Sequence, residues 1–193
     1  MKNKQYATLA IVAVAAGAFL AFNSPAQSAG GKSHANKLEG AWIAKVPGMP
    51  IQWAYSLSPD PSGKRAAMVG STHVPIQPQA IPGNPGLFSD WEYNTDLVGE
   101  VEMTGPDTAI FTAVWYGMKK DFPFDQVVLI GVNSGQVKFT TPGKTVVTHN
   151  LGMYAPITDG DGDGLPDPGL APTFCLPATT IDTRVGLIPP CTQ

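Results

Sequence analysis

The chain has 193 residues and a formal charge of −3, with 12 Lys and Arg against 15 Asp and Glu. Only 14% of the residues are charged, which leaves no basic face for nucleic acid and no polybasic patch for anionic lipid. Gly (21) and Pro (19) are abundant alongside Val, Thr, Phe and Trp, a composition that favours many turns and strands over long helices.

The chain begins as a targeting segment. Lys2 and Lys4 precede an apolar or small-residue run of 16 from Ala7 to Phe22, and Asn23-Ser24-Pro25 breaks it. The order is that of a signal peptide, expected over residues 1–29 with cleavage after Ala29, or alternatively after Ala26. The run is shorter than the roughly 18 residues of a membrane span, so the mature protein is expected to have none. Without Lys2 and Lys4, ten basic residues face 15 acidic ones, a net −5. The expected location is exported, either periplasmic or extracellular, and the mature chain fits one domain.

Residues 30–37 are a polar, flexible lead-in. From Leu38 a period of two begins: Leu38, Gly40, Trp42, Ala44 and Val46 alternate with Glu39 and Lys45, the pattern of a half-buried strand. Pro47-Gly48-Met49-Pro50 turns the chain. Ile51 to Ser58 is a second strand, with Trp53, Tyr55 and Leu57 on one face. Ser58 to Gly63 is dense turn chemistry, and Arg65 to Val74 a third strand. Pro75 to Asp90 holds four prolines and no usable period, as expected of a binding loop or a passive excursion.

Strands resume at Leu97 to Met103, Ala109 to Met118 and Val127 to Val132. Asn133-Ser134-Gly135 reads as a hairpin turn leading to a further strand at Val137 to Thr140. Pro142-Gly143 suits a type II turn, and Thr145 to Tyr154 is the last clear strand. About eight strands joined in order by short turns bury their edges most simply as an antiparallel up-and-down barrel. A β-sandwich is the alternative.

Gly40-Ala41-Trp42 on the first strand, followed by this meander, resembles the G-x-W start of the lipocalin-like β-barrels found among small exported bacterial proteins. The resemblance covers roughly residues 38–155. It implies a barrel that holds a small apolar molecule. Residues 156–193 fall outside it and read as an irregular tail carrying an acidic loop and closed by a disulfide.

That tail carries the most specific chemical signal. Asp159, Asp161, Asp163 and Asp167 stand at positions 1, 3, 5 and 9 of a tight loop, with the Leu165 carbonyl at position 7 and Gly164 at position 6. Calcium takes six to eight oxygens from such a set, and glycine permits the sharp turn. The stretch resembles the calcium loops of thrombospondin type 3 repeats, dockerins and EF-hands. It departs from the EF-hand at position 12, where Leu170 replaces the bidentate Glu, and Pro166 and Pro168 argue against an exit helix. The expectation is a structural Ca2+ site; the alternative is a solvated acidic linker. Cys175 and Cys191 are expected to form a disulfide in an oxidising compartment.

Trp53, Tyr55, Trp115 and His149 are the candidate lining of an internal pocket, since each lies in a strand beside apolar same-face neighbours. No metalloprotease, nucleophile-elbow, phosphate-loop or dinucleotide motif is present. The sequence therefore points away from an enzyme and toward an exported binding protein for a small apolar molecule or a protein partner. A cell-surface structural or assembly protein is the second reading. A barrel enzyme using His149 or His73 is the third.

Overall fold

The computed structural model describes residues 37–49, 51–71 and 89–186. The expected signal peptide, residues 30–36 of the lead-in, His73, most of the Pro75–Asp90 loop and Cys191 lie outside them. Within the described residues the chain forms nine strands: β1 Gly40–Lys45, β2 Gln52–Pro59, β3 Arg65–Gly70, β4 Tyr93–Asn94, β5 Leu97–Gly105, β6 Thr108–Lys119, β7 Gln126–Thr141, β8 Lys144–Tyr154 and β9 Phe174–Arg184. A 3-10 turn, Pro156–Thr158, lies between β8 and β9. Among the described residues no helix is long and apolar enough to cross a membrane.

Every pairing is antiparallel, and the ring closes. The order runs β6-β5-β3-β2-β1-β9-β8-β7 and returns to β6. Strand β4 is the extra piece; Tyr93 and Asn94 pair with Met118 and Gly117, beyond the end of the β5–β6 ladder. Closure is made by β9, whose Asp182 and Arg184 stand opposite Ala44 and Trp42 of β1. An up-and-down barrel of eight strands is thus the fold, and the sandwich alternative does not hold. Closing the sheet removes the unpaired edges an open meander would expose.

Alternation explains the inward set. Trp42 and Ala44 on β1, Tyr55 and Leu57 on β2, and Phe111, Ala113 and Trp115 on β6 are all buried, with exposed residues between most of them. Leu38, at the mouth below β1, is fully buried as well. Each such large side chain contributes roughly 1.5–3 kcal/mol on burial.

Two expectations are corrected. The Asn133-Ser134-Gly135 turn is not a turn; β7 runs unbroken through it. Turn-forming residue types suggested a hairpin, but Gly135 serves close approach. A Cβ there would sit 1.8 Å from the Thr148 carbonyl and 3.1 Å from the Phe111 ring. The tail is also not irregular from Phe174 to Arg184, because β9 lies there. Its alternation is inverted: Thr180 and Asp182 are buried while Ile181 is exposed. A polar inward face gives no hydrophobic signal, so the closing strand is hidden from pattern reading. The Pro142-Gly143 turn stands as expected, with Gly143 at φ +74°.

Candidate functional site

The barrel has two different ends. At the end formed by the β2–β3, β5–β6 and β7–β8 turns, a cleft of about 850 Å³ is walled by Lys37, Trp42, Asp107, Phe139 and Arg184, among others. Its charged groups are engaged with their neighbours. Lys37 Nζ lies 2.5 Å from Asp107, and Arg184 stacks over Trp42 at 5.1 Å while donating to the Lys37 carbonyl. These contacts tie the entry segment, β1 and β9 together at that end.

The opposite end holds a cavity of about 370 Å³. Its wall is aromatic and aliphatic: Trp53 from β2, Trp91, Leu97 from β5, Trp115 from β6 and Leu151 from β8, with Met49 and Leu176 exposed at the rim. Trp91 and Trp115 pack with centroids 5.3 Å apart, and Trp91 is pinned by its Nε1–H, which donates to Asn94 Oδ1 at 2.6 Å. Trp115 stands opposite Gly131 of β7, and a Cβ at that glycine would lie 2.1 Å from the indole. The missing side chain is what lets the ring lie across the wall.

At its polar end the cavity meets Asn133 and His149. His149 is wedged between Trp53 (5.6 Å) and Phe111 (5.3 Å), both edge-on. Its Nδ1 is 3.2 Å from Asn133 Oδ1, and its Nε2 is 2.9 Å from Thr180 Oγ1. Thr180 Oγ1 is 2.5 Å from Asp182 Oδ1, and the Tyr55 hydroxyl donates to Asp182 Oδ2 at 2.6 Å. A line of polar groups thus runs from the cavity into the barrel centre: Asn133, His149, Thr180, Asp182, Tyr55. Burial shapes its electrostatics. It lowers the His149 pKa to about 4 and raises those of Asp182 and Tyr55, the latter also through the Asp182 charge.

Of the four pocket candidates, Trp53, Trp115 and His149 stand in this wall. Tyr55 does not. It sits one inward position deeper on β2, stacked on Trp42 at 6.5 Å. Sequence reasoning missed Trp91, which follows the Pro-rich loop, and Asn133, read as part of a turn. It also missed Thr180 and Asp182, which lie on the strand with inverted alternation. Polar residues at alternate positions beside exposed Ile181 were the one available signal.

The acidic loop joins β8 to β9 at this same end. Carboxylate oxygens of Asp159, Asp161 and Asp163 lie within 4.8 Å of one another. Asp159 Oδ2 accepts from Gly164 N–H at 3.0 Å, while Oδ1 is buried with no partner. Gly164, at φ +89°, makes the turn, and its carbonyl accepts from the Tyr116 hydroxyl at 3.0 Å. The Asp167 carboxylate stands outside the cluster of three and accepts from Gly160 N–H at 3.3 Å. An all-oxygen set of this kind suits a hard cation by its chemistry. Cys175 is exposed on β9 and its expected partner Cys191 lies outside the described residues.

No protein-family model matches the chain, and no curated protein or solved structure is detectably similar to it.

Proposed function

We propose that the chain is an exported, lipocalin-like binding protein that takes a small, mostly apolar molecule into the three-tryptophan end of its barrel. The observation that carries this reading is the cavity of about 370 Å³, walled by Trp53, Trp91 and Trp115. Ligand sites run from roughly 300 to 1,000 Å³ and combine apolar walls with a few fixed polar groups. This cavity is at the small end, suited to a molecule of one or two rings. Catalysis by His149 is the weaker reading. Both ring nitrogens are occupied by Asn133 and Thr180, and a pKa near 4 leaves the ring neither a good base nor a proton donor at neutral pH.

A protein partner at the rim is the second reading, favoured by Phe122 and Phe124 in the β6–β7 loop and Ile157 after β8, which are 97%, 81% and 90% exposed at this end. We further infer that the Asp159–Asp167 loop binds Ca2+ as a structural ion, with Asp159, Asp161 and Asp163 as carboxylate ligands and the Leu165 carbonyl and Asp167 completing the set. The unpartnered Asp159 Oδ1 supports it. A bound cation would stiffen the connection between β8 and the closing strand. A Cys175–Cys191 disulfide would tie the end of the chain to the same strand.

Equilibrium dialysis against 2-ethylnaphthalene tests the binding reading. The wild type should bind one equivalent at micromolar concentration, and Leu151→Trp, which fills the cavity, should bind none. Equal binding by the two proteins, or none by either, rejects it.

A further inference from the structure

Resting on that reading, we infer that the ligand carries a hydrogen-bond donor, a hydroxyl or an N–H, given to the side-chain oxygen of Asn133, and that Asp182, Thr180 and His149 are positioning residues that set this preference.

Asp182 sets the direction of the line. A carboxylate only accepts, and this one receives the Thr180 hydroxyl on Oδ1 at 2.5 Å and the Tyr55 hydroxyl on Oδ2 at 2.6 Å. Thr180 has thereby spent its only hydrogen. Across 2.9 Å its oxygen must accept, so the hydrogen there belongs to His149 Nε2. The buried ring is neutral near pH 7, since burial lowers its pKa to about 4. A neutral imidazole with its hydrogen on Nε2 has a bare Nδ1. The hydrogens of His149 and Thr180 thus point inward, toward Asp182, and the end of the line that meets the cavity is an acceptor.

The consequence appears at Asn133. Its Oδ1 lies 3.2 Å from Nδ1, so two acceptors face each other with no hydrogen between them. Turning the amide over would give its NH2 to Nδ1 and leave its oxygen facing away from the ring. In either orientation the Asn133 oxygen lacks a donor, and none among the described residues supplies one. Asn133 and His149 both line the cavity, in a wall made mostly of indole and aliphatic carbon. Asn94, the other wall amide, already receives the Trp91 N–H on its oxygen. An unpaired acceptor in an apolar cavity is costly, and a ligand hydroxyl or N–H removes that cost. A site built around a polar group rejects analogues that lack the matching group far more strongly than an apolar site rejects a missing methylene.

The test compares three probes of similar size by equilibrium dialysis: 2-naphthalenemethanol, whose hydroxyl donates, 2-acetylnaphthalene, whose carbonyl only accepts, and 2-ethylnaphthalene as the hydrocarbon reference. The wild type should bind the alcohol about tenfold more tightly than the ketone, the effect of one hydrogen bond. Asp182→Asn reads the direction of the line. Its amide oxygen still accepts from Tyr55, while its NH2 donates to Thr180 and turns every hydrogen beyond it around. Asn133 then offers an N–H, which either oxygen probe accepts, so alcohol and ketone should bind within about twofold of each other. Thr180→Val, which removes the acceptor for Nε2–H, should also erase the preference for the alcohol. Thr180→Ser should retain it, a rescue that a purely packing role for Thr180 does not produce. If the wild type binds the ketone as tightly as the alcohol, or if Asp182→Asn and Thr180→Val both keep the tenfold preference, the inference is overturned, and the binding reading stands on the hydrocarbon alone. If none of the three probes binds, the binding reading falls and this inference with it.

Discussion

Arg184, the last residue of β9, lies over the ring of Trp42 on β1 with its guanidinium carbon 5.1 Å from the ring centroid. The same guanidinium donates to the Lys37 carbonyl at 3.1 Å. One side chain thus joins the first strand, the last strand and the segment that enters the barrel. Trp42 is 2% exposed, so the cation–π contact is made largely away from water, where it is strongest. Replacing Arg184 with Ala should lower stability in urea unfolding by about 2 kcal/mol, combining the stacked contact and the hydrogen bond. Arg184→Lys should recover less than half of this, because an ammonium neither stacks flat nor forks. Full recovery by Lys would show that charge alone matters here.

The same strand marks the limit of what the sequence discloses. The β1 to β6 meander is legible because its inward positions are apolar: Trp42, Tyr55, Leu57, Val101, Phe111 and Trp115 are all buried. Barrel closure was inferable only as the simplest way to bury edges. The strand that performs it presents Thr180 and Asp182 inward, and its hydrogen bonds to His149 and Tyr55 depend on partners 31 and 127 residues away. No local pattern encodes a long-range pairing of that kind. The tryptophan wall was half legible. Trp53 and Trp115 declare themselves by alternation, whereas Trp91 follows a proline-rich stretch without a period. Gly131 was readable only as a strand residue, since its purpose lies in the ring opposite it.

The buried histidine sets a pH dependence. His149 binds a proton with a pKa of 6.5 in the unfolded chain and about 4 in the barrel. Its contribution to stability is therefore complete above pH 6.5 and is lost as pH falls through 4. The gap corresponds to about 3 kcal/mol. Asp182 works in the opposite sense. Its folded pKa is raised by burial, so its contribution is present below 3.8 and is lost as pH rises through the folded value. In wild type the two partly offset each other. His149→Phe removes the first alone. Urea titrations of both proteins from pH 7 to pH 4 should show wild type losing up to about 3 kcal/mol more than the variant. Parallel profiles would mean that His149 is protonated inside the barrel.

Calcium should act on the β8–β9 connection. If Asp159 Oδ1 is a ligand, adding millimolar Ca2+ should raise the melting temperature by a few degrees. One kcal/mol moves a domain of this size by roughly 2–4 °C. Magnesium, which demands near-ideal octahedral geometry and holds its waters, should have little effect. The double variant Asp161→Ala, Asp163→Ala should lose the response while melting near wild type without the ion, since its carboxylates are exposed. An unchanged melting temperature at 10 mM Ca2+, above the roughly 10⁻⁴–10⁻³ M dissociation constants of weak extracellular sites, leaves the loop as a solvated linker.

Gly131 connects sheet geometry to the cavity. It pairs directly with Trp115, and the indole occupies the space that any side chain on that residue would need. A methyl group 2.1 Å from Cε2 is far inside contact distance, so Gly131→Ala must move either the β7 backbone or the ring. The backbone is held by ladders on both sides, to β6 and to β8. The ring borders Trp91 and the cavity, so it should swing into the open space. Overpacking of this kind costs roughly 1–3 kcal/mol. The displaced indole should also abolish 2-ethylnaphthalene binding while the barrel stays folded, as read by an unchanged far-ultraviolet spectrum. Adding Trp115→Leu to Gly131→Ala removes the clashing ring. That double variant should regain both stability and probe binding. If it does not, the space above Gly131 serves strand packing alone and the position of Trp115 is set elsewhere.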